Sequence, residues 1–317
     1  MIEEAMRYYA FREPKVNFIR HNENMTYKII DTDEVFLMRI HKPVEGFNLD
    51  ILRAGHQQLE YVSSEIELLR WLYSLGEITI QSVVANRYGE DVTILDDGTP
   101  VTVLRWIDGI SLEETDATPL VALEIGRVIG RLHTATKTHV GNHYQYDEDL
   151  ITRMEREIDN AASQGHFDRY SYDVILNTLK YIKEYLINSV DRYILVHADL
   201  GRSNLICHDE TISPIDFSLC GYCIPEMDIA SVFAHIEDIA LRQLVLQGYR
   251  ASSETKIYDI GVEVCFCFQI LLFAIGQYRK YSEETWFKER VHSWCEQYFI
   301  KLTTKKKDDD TPVFISK

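Results

Sequence analysis

Residues 24 to 39 read NMTYKIIDTDEVFLMR, two short β-rich runs either side of the polar DTDE, which is the pattern of a hairpin. The next periodic segment, HQQLEYVSSEIELLRWLYSLG from His56 to Gly76, sets Leu59, Val62, Ile66, Leu69 and Leu72 at helical spacing. It ends on a glycine able to stop it, so an amphipathic helix is predicted. SVVANRYGEDVTILDDGTPVTVLRWIDG then alternates apolar runs with turn signals at Gly89 and DDG, predicting strands that finish in Val101 to Ile107. Past Gly109 the period turns helical, in LVALEIGRVIGRLHTATKTH, DLITRMEREIDNAAS, YDVILNTLKYIKEYLINSV and most of the chain after Asp228. Two runs break that trend: RYILVHA reads as a short strand and NLICHDETISPIDF as a hairpin turning at HDET. The expectation is an α+β protein. A small antiparallel-sheet lobe with one helix, residues 1–107, joins through Trp106 to Gly109 to a larger, mainly helical lobe, residues 108–317. His197 to Asp216 should line the cleft between them.

Composition narrows the partners. Fifty acidic against 33 basic residues give a formal charge of -17, which repels nucleic acid and anionic membrane surfaces, so neither is expected as a partner. The one dense basic run, Lys305 to Lys307, is cancelled by Asp308 to Asp310 and reads as solvated surface. MIEEAMRYYAFREP builds no apolar h-region, so a cytoplasmic protein is expected. The most apolar window, Gly261 to Tyr278, is interrupted by Glu263 and Gln269 and reads as a buried helix. Six cysteines without a secretory signal read as free thiols. Cys220-x-x-Cys223 resembles half a zinc site but lacks a second pair at matching spacing.

The chemistry concentrates in YILVHADLGRSNLICHDETISPIDFSLCG, residues 193–221. His197-x-Asp199, then Asn204, then Asp216-Phe217 fits the kinase arrangement H-x-D-x-x-x-x-N followed by D-F-x. In-line phosphoryl transfer needs a carboxylate beside the attacking hydroxyl to orient it and take its proton, and Asp199 suits that task. It also needs hard oxygen ligands to hold magnesium against the ATP phosphates. Asn204 starts one strand and Asp216 ends the next, so a hairpin brings them together. His197 is expected to brace the loop.

LVHADLGRSNLI, SPIDFSLCGY and MDIA resemble the aminoglycoside phosphotransferase superfamily of kinase-like proteins, most closely its bacterial branch of stress-response Ser/Thr kinases and homoserine-kinase-like enzymes. ENMTYKI, FLMRIHKP, SEIELLRWL, VLRWIDG, IGRVIGRLH and LVLQGYR extend the likeness in the same order, from Glu23 to Arg250. The resemblance implies a two-lobed protein-kinase-like fold with ATP and Mg2+ as cofactors. It implies that Arg39 is the strand cation gripping the α- and β-phosphates, that Glu65 pairs with it, and that backbone groups at Arg105 to Ile107 read the adenine edge. Asp228 matches a structural aspartate bonded to the catalytic loop. RHNENMTY departs from the pattern of protein kinases because it has no glycine, so Asn24 and Thr26 would have to offer donors to the phosphates. Gly201 and Ser218 stand where relatives often carry histidine, and glycine or an acid, respectively.

The leading function is an ATP- and magnesium-dependent phosphotransferase acting on a hydroxyl of a small molecule. A stress-response Ser/Thr protein kinase and a catalytically silent nucleotide-binding scaffold are the alternatives. Surplus carboxylates favour a cationic acceptor, aminoglycoside-like or an amino alcohol, with Asp147, Glu148, Asp149, Glu226, Glu237 and Asp238 as candidates to receive it. Arg202 argues the other way, as a cation that could hold an anionic group.

Overall fold

The computed structural model describes residues 1–45 and 50–304, so the Lys305 to Asp310 charge run lies outside the described residues. The first lobe contains α1 (Ile2–Met6), β1 (Pro14–His21), β2 (Met25–Asp31), β3 (Glu34–Ile40), α2 (Asp50–Arg53), α3 (Gln58–Leu75), β4 (Thr93–Ile94) and β5 (Pro100–Arg105). Its strands form one antiparallel sheet in the order β1-β2-β3-β5-β4. The expected hairpin is β2 and β3, reversing at Thr32, whose φ of 53° lies in the left-handed region. The expected helix is α3. Gly76 stops it at a φ of 67°, and Val62, Ile66, Leu69 and Leu72 are buried while Leu59 is exposed.

Several details differ from the sequence reading, which expected one helix in this lobe where α1 and α2 join α3. β1 was not expected: it is an edge strand whose apolar residues Val16, Phe18 and Ile19 are exposed, so it carries none of the alternation that marks a half-buried strand. The short α1 covers the outer face of the sheet, where Ala5 and Tyr9 pack with Ile29, Phe36, Met38 and Val103. Between Ser82 and Val92, where strands were expected, the chain is largely irregular, and its one β-bridge to the sheet among the described residues joins Val83 to Leu104.

The second lobe runs β6 (Ile110–Ser111), α4 (Pro119–Thr136), β7 (Tyr144–Gln145), α5 (Glu148–Ser163), α6 (Arg169–Ile187), β8 (Ile194–Val196), β9 (Leu205–His208), β10 (Thr211–Pro214), β11 (Gly221–Cys223), α7 (Glu226–Phe233), α8 (Ile239–Ser252), α9 (Asp259–Tyr281), α10 (Thr285–Trp294) and α11 (Ile300–Thr303). Four of these helices, α4, α5, α6 and α8, start where a short polar side chain caps them. Thr118, Asp147, Asp168 and Asp238 each accept a hydrogen bond from a backbone N–H in the first turn of the adjoining helix. β9 and β10 form the expected hairpin, turning through Asp209 and Glu210 with φ of 45° and 65°. β11, which was not expected, pairs antiparallel with β8 and parallel with β7. By length and composition α9 could cross a membrane, but 61% of its apolar window is buried in the fold.

Helices α4 and α8 pack backbone against backbone. A Cβ added at Gly126 would lie 1.9 Å from the Val245 carbonyl oxygen, and one at Gly248 would lie 2.0 Å from that of Leu123. No rotamer change relieves a clash with main chain, so a methyl group here must separate the helices. Gly248→Ala is therefore expected to destabilise the fold by roughly 1–3 kcal/mol, the usual range for overpacking. Urea denaturation checks this, and an unchanged midpoint would contradict the close contact.

Candidate active site

The polypeptide at the end of β8 is held by one carboxylate. Asp228, buried in α7, accepts the N–H groups of His197 at 2.9 Å and Ala198 at 2.7 Å. It also accepts His133 Nε2–H at 2.9 Å, and His133 Nδ1 shares a hydrogen bond of 2.9 Å with the Tyr249 hydroxyl. Burial would raise the Asp228 carboxyl, but these donors outweigh it and hold it below the ordinary carboxylate range. Ala198, at a φ of 65°, adopts the left-handed conformation that this double contact demands. His197 is buried and its pKa is lowered by that burial, so it is neutral. The Ile215 carbonyl can only accept, so Nε2 carries the proton and donates to it at 3.0 Å, and Nδ1 accepts the Asp199 N–H at 3.3 Å. His197 thus ties the loop to the end of the β9–β10 hairpin.

Asn204 Nδ2 donates to both the backbone carbonyl and Oδ2 of Asp199, each at 2.9 Å. At the base of the hairpin the Ile215 N–H donates to the Asn204 carbonyl at 3.0 Å, which brings Asp216 beside the loop. Asp216 has a φ of 64° and a ψ of 70°, turning its side chain out of the strand direction. Burial and then the neighbouring Asp216 carboxylate push the Asp199 carboxyl up to about 7. Burial would also raise Asp216, but two guanidinium groups overcome it and hold that carboxyl low.

Those guanidinium groups come from the sheet. Arg39 on β3 is buried and bonds Glu65 Oε1 of α3 at 2.6 Å and Asp216 Oδ1 at 3.0 Å. Arg20 on β1 reaches Asp216 Oδ2 at 3.0 Å. Glu23, in the turn between β1 and β2, accepts the Ser218 hydroxyl at 3.2 Å, and burial together with Asp216 and Asp199 pushes its carboxyl up to about 8. Sequence reasoning missed both Arg20 and Glu23 as site residues. Neither has a distinctive neighbour in the sequence, and only strand pairing brings them to the cleft.

Other expected residues fall less directly on the site. Asn24 and Thr26 are buried, Asn24 beside a small cavity of about 30 Å³ shared with Glu65 and Ser218, and Thr26 between Arg20 and Arg39 in the sheet. Arg105 is exposed, its side chain pairs with Glu34 at 2.6 Å, and its N–H donates to the Ser82 carbonyl at 2.8 Å. The Trp106 N–H likewise donates to Val35, and Lys28 Nζ sits 4.1 Å from the Trp106 ring centroid. The N–H groups of both Arg105 and Trp106 are therefore already engaged within the protein.

Beside Asp199 lies a cavity of about 360 Å³ lined by Tyr146, Leu219, His235, Gln269, Phe273, Gln277, Lys280 and Tyr281 among others. None of the six carboxylates considered for a cationic acceptor lines it. Asp147 and Asp238 are helix caps, Glu226 is buried against Arg192 and the Tyr258 N–H, and Glu148 and Asp149 are exposed on α5. Glu237 and Asp238 line a second cavity of about 350 Å³, where Leu200 and Arg202 also project. Arg202 donates to the carbonyls of Leu112 and Thr115, so its guanidinium is turned away from Asp199.

Residues 15–259 match the phosphotransferase enzyme family, and the chain belongs to it. It is 23% identical over 231 residues to amicoumacin kinase of Bacillus subtilis (strain 168), an alignment that covers 70% of this chain and 63% of that protein. In fold it is similar to an amicoumacin kinase solved with AMP-PNP, Ca2+ and Ami, with a TM-score of 0.75, 20% identity and coverage of 99% of this chain and 95% of that one. It is also similar to a microcompartment-associated aminopropanol kinase, with a TM-score of 0.74, 17% identity and 95% coverage of each chain.

The raised Asp199 carboxyl has a consequence for stability. The folded chain keeps a proton there up to about pH 7, whereas the unfolded chain releases it in the ordinary carboxylate range, so this group lowers stability as pH climbs through that window. Asp199→Asn removes the cost. Without nucleotide its melting temperature is expected to exceed that of wild type at pH 8, with the gain fading as pH falls toward 4. Melts that coincide at every pH would contradict the buried-carboxylate assignment.

Proposed function

We propose that this chain is an ATP- and magnesium-dependent phosphotransferase that moves the γ-phosphoryl group to a hydroxyl of a small, amine-bearing molecule. The observation that carries this reading is the facing pair Asp199 and Asp216. One carboxylate lines a cavity that is open to solvent and the other is gripped by the sheet arginines. Asp199, oriented by Asn204, accepts the proton of the acceptor hydroxyl as its oxygen attacks the γ-phosphorus, and ADP leaves along the same line. His197, Asp228 and His133 keep Asp199 at that position. Arg39, anchored by Glu65, grips the phosphates as the bound nucleotide reaches the sheet.

The donor set suits a hard cation. The Asn204 amide nitrogen is engaged with Asp199, which leaves its amide oxygen, and Asp216 contributes a carboxylate. One or two such groups plus substrate phosphates are what Mg2+ uses. Magnesium bound there neutralises charge on the phosphates. The lobes divide in this reading at the hinge, residues 1–107 binding nucleotide and residues 108–317 supplying the catalytic loop and the acceptor pocket. The faces of Tyr146, Phe273 and Tyr281 can receive an ammonium group or an apolar body, and Gln269 and Gln277 can orient it. Amicoumacin and aminopropanol, named for the relatives, define the first acceptors to test.

ADP release over amicoumacin, aminopropanol, aminoglycosides, homoserine, choline, sugars and generic protein substrates tests the proposal, with turnover expected on an amine-bearing alcohol. Transfer to protein substrates alone would favour the protein-kinase reading. Asp199→Asn is expected to lower kcat by about 10²- to 10⁴-fold while still binding magnesium-ATP. Asp216→Ala is expected to weaken magnesium-ATP binding as well as turnover, and unchanged calorimetric affinity would move the metal role elsewhere.

A further inference from the structure

Arg20 reaches the site through an irregularity in the sheet. β1 and β2 pair in regular register from Pro14 opposite Asp31 to Phe18 opposite Tyr27, after which Arg20, not Ile19, stands opposite Thr26. The extra residue is a β-bulge, a feature that re-aims side chains beside functional sites. Thr26 in turn stands opposite Arg39 on β3. Directly opposed residues share one face of a sheet, so Arg20, Thr26 and Arg39 form a row across three strands. Both arginines of that row reach Asp216, each at 3.0 Å. In unbroken register Ile19 would hold Arg20's place.

The two cations are held differently. Arg39 is 2% exposed and anchored by Glu65, whereas the Arg20 side chain is 46% exposed and its ion-pair partner among the described residues is Asp216. The turn from Asn22 to Asn24 has no glycine to let backbone N–H groups close over phosphates. A cation bound at Asp216 would compete with the Arg20 guanidinium for that carboxylate and repel it, and a phosphate group held by the same cation would then receive it in competition with the neighbouring Glu23 and Asp199 carboxyls.

We propose that Arg20 is a second phosphate-gripping residue, which holds Asp216 until a divalent cation takes that carboxylate and then moves to the terminal phosphate of the nucleotide. The inference rests on the reading of the cleft as an ATP site. Calorimetric titration of wild type, Arg20→Ala and Arg20→Lys with magnesium-AMP-PNP, magnesium-ADP and adenosine tests it, with folding checked by thermal melts. Arg20→Ala is expected to weaken AMP-PNP binding by about tenfold, the usual size of one charge-assisted hydrogen bond, to weaken ADP binding less, and to leave adenosine unchanged. Arg20→Lys, which keeps the charge but loses the fork, is expected to show a smaller loss in the same order, and it carries the test if the alanine variant does not fold. AMP-PNP affinity that is unchanged or tighter in both variants overturns the proposal, tighter binding marking Arg20 as a mere competitor of the metal for Asp216. Wild-type protein that binds none of these nucleotides overturns the reading of the cleft, and this inference with it.

Discussion

Two consecutive backbone N–H groups, those of His197 and Ala198, point at the same buried carboxylate, and the chain can present them together only because Ala198 takes a left-handed conformation. Asp228 is in turn held by His133 from α4, and His133 by Tyr249 from α8. The loop that carries Asp199 is therefore positioned from behind, by three helices. The glycines at 126 and 248 belong to the same arrangement, since they set how closely α4 and α8 approach and so where His133 and Tyr249 meet. The position of Asp199 thus depends on helix packing several side chains away.

In front of the loop the controlling quantity is charge. Four carboxylates, those of Glu23, Glu65, Asp199 and Asp216, converge on the cleft with two arginines among them. Like charges that cannot all be compensated are expected to keep protons, and the Asp199, Glu23 and Glu65 carboxyls are all pushed up, chiefly by burial. Asp216, which carries both arginines, stays ionised. The same protein environment thus gives the neighbouring Asp199 and Asp216 carboxyls different ground states, a division that the proposed roles of base and cation ligand would use.

Much of this is legible in the chain because local spacing carries it. His197, Asp199, Asn204 and Asp216 flank runs that read as a strand and a hairpin, and the structure brings them together. Arg39 and Glu65, suggested only by resemblance, form an ion pair. What stays hidden depends on partners far away in sequence. β1 is an exposed edge strand without alternation, and its bulge is defined only against β2, so no local pattern marks Arg20. Asp147 and Asp238 resemble acceptor carboxylates because a helix cap satisfies its own backbone and leaves no sign in composition. Arg202 resembles an anion holder for a similar reason, since its partners are two carbonyl groups and the Asp116 carboxylate, none marked by local spacing.

The β9–β10 hairpin acts as a caliper whose jaws are Asn204 and Asp216. Its opening is set at the base, where the Ile215 N–H meets the Asn204 carbonyl, whereas its tip at Asp209 and Glu210 is a two-residue turn far along the ladder. Adding or removing one cross-strand pair at that tip changes the chain length between the two residues by two and leaves their separation in space untouched. Inserting a single residue on one arm would instead reverse which face each subsequent side chain occupies, or force a bulge. Along the ladder the spacing of these two residues is thus elastic in even steps, whereas a single extra residue leaves the jaws undisturbed only in the turn at the tip.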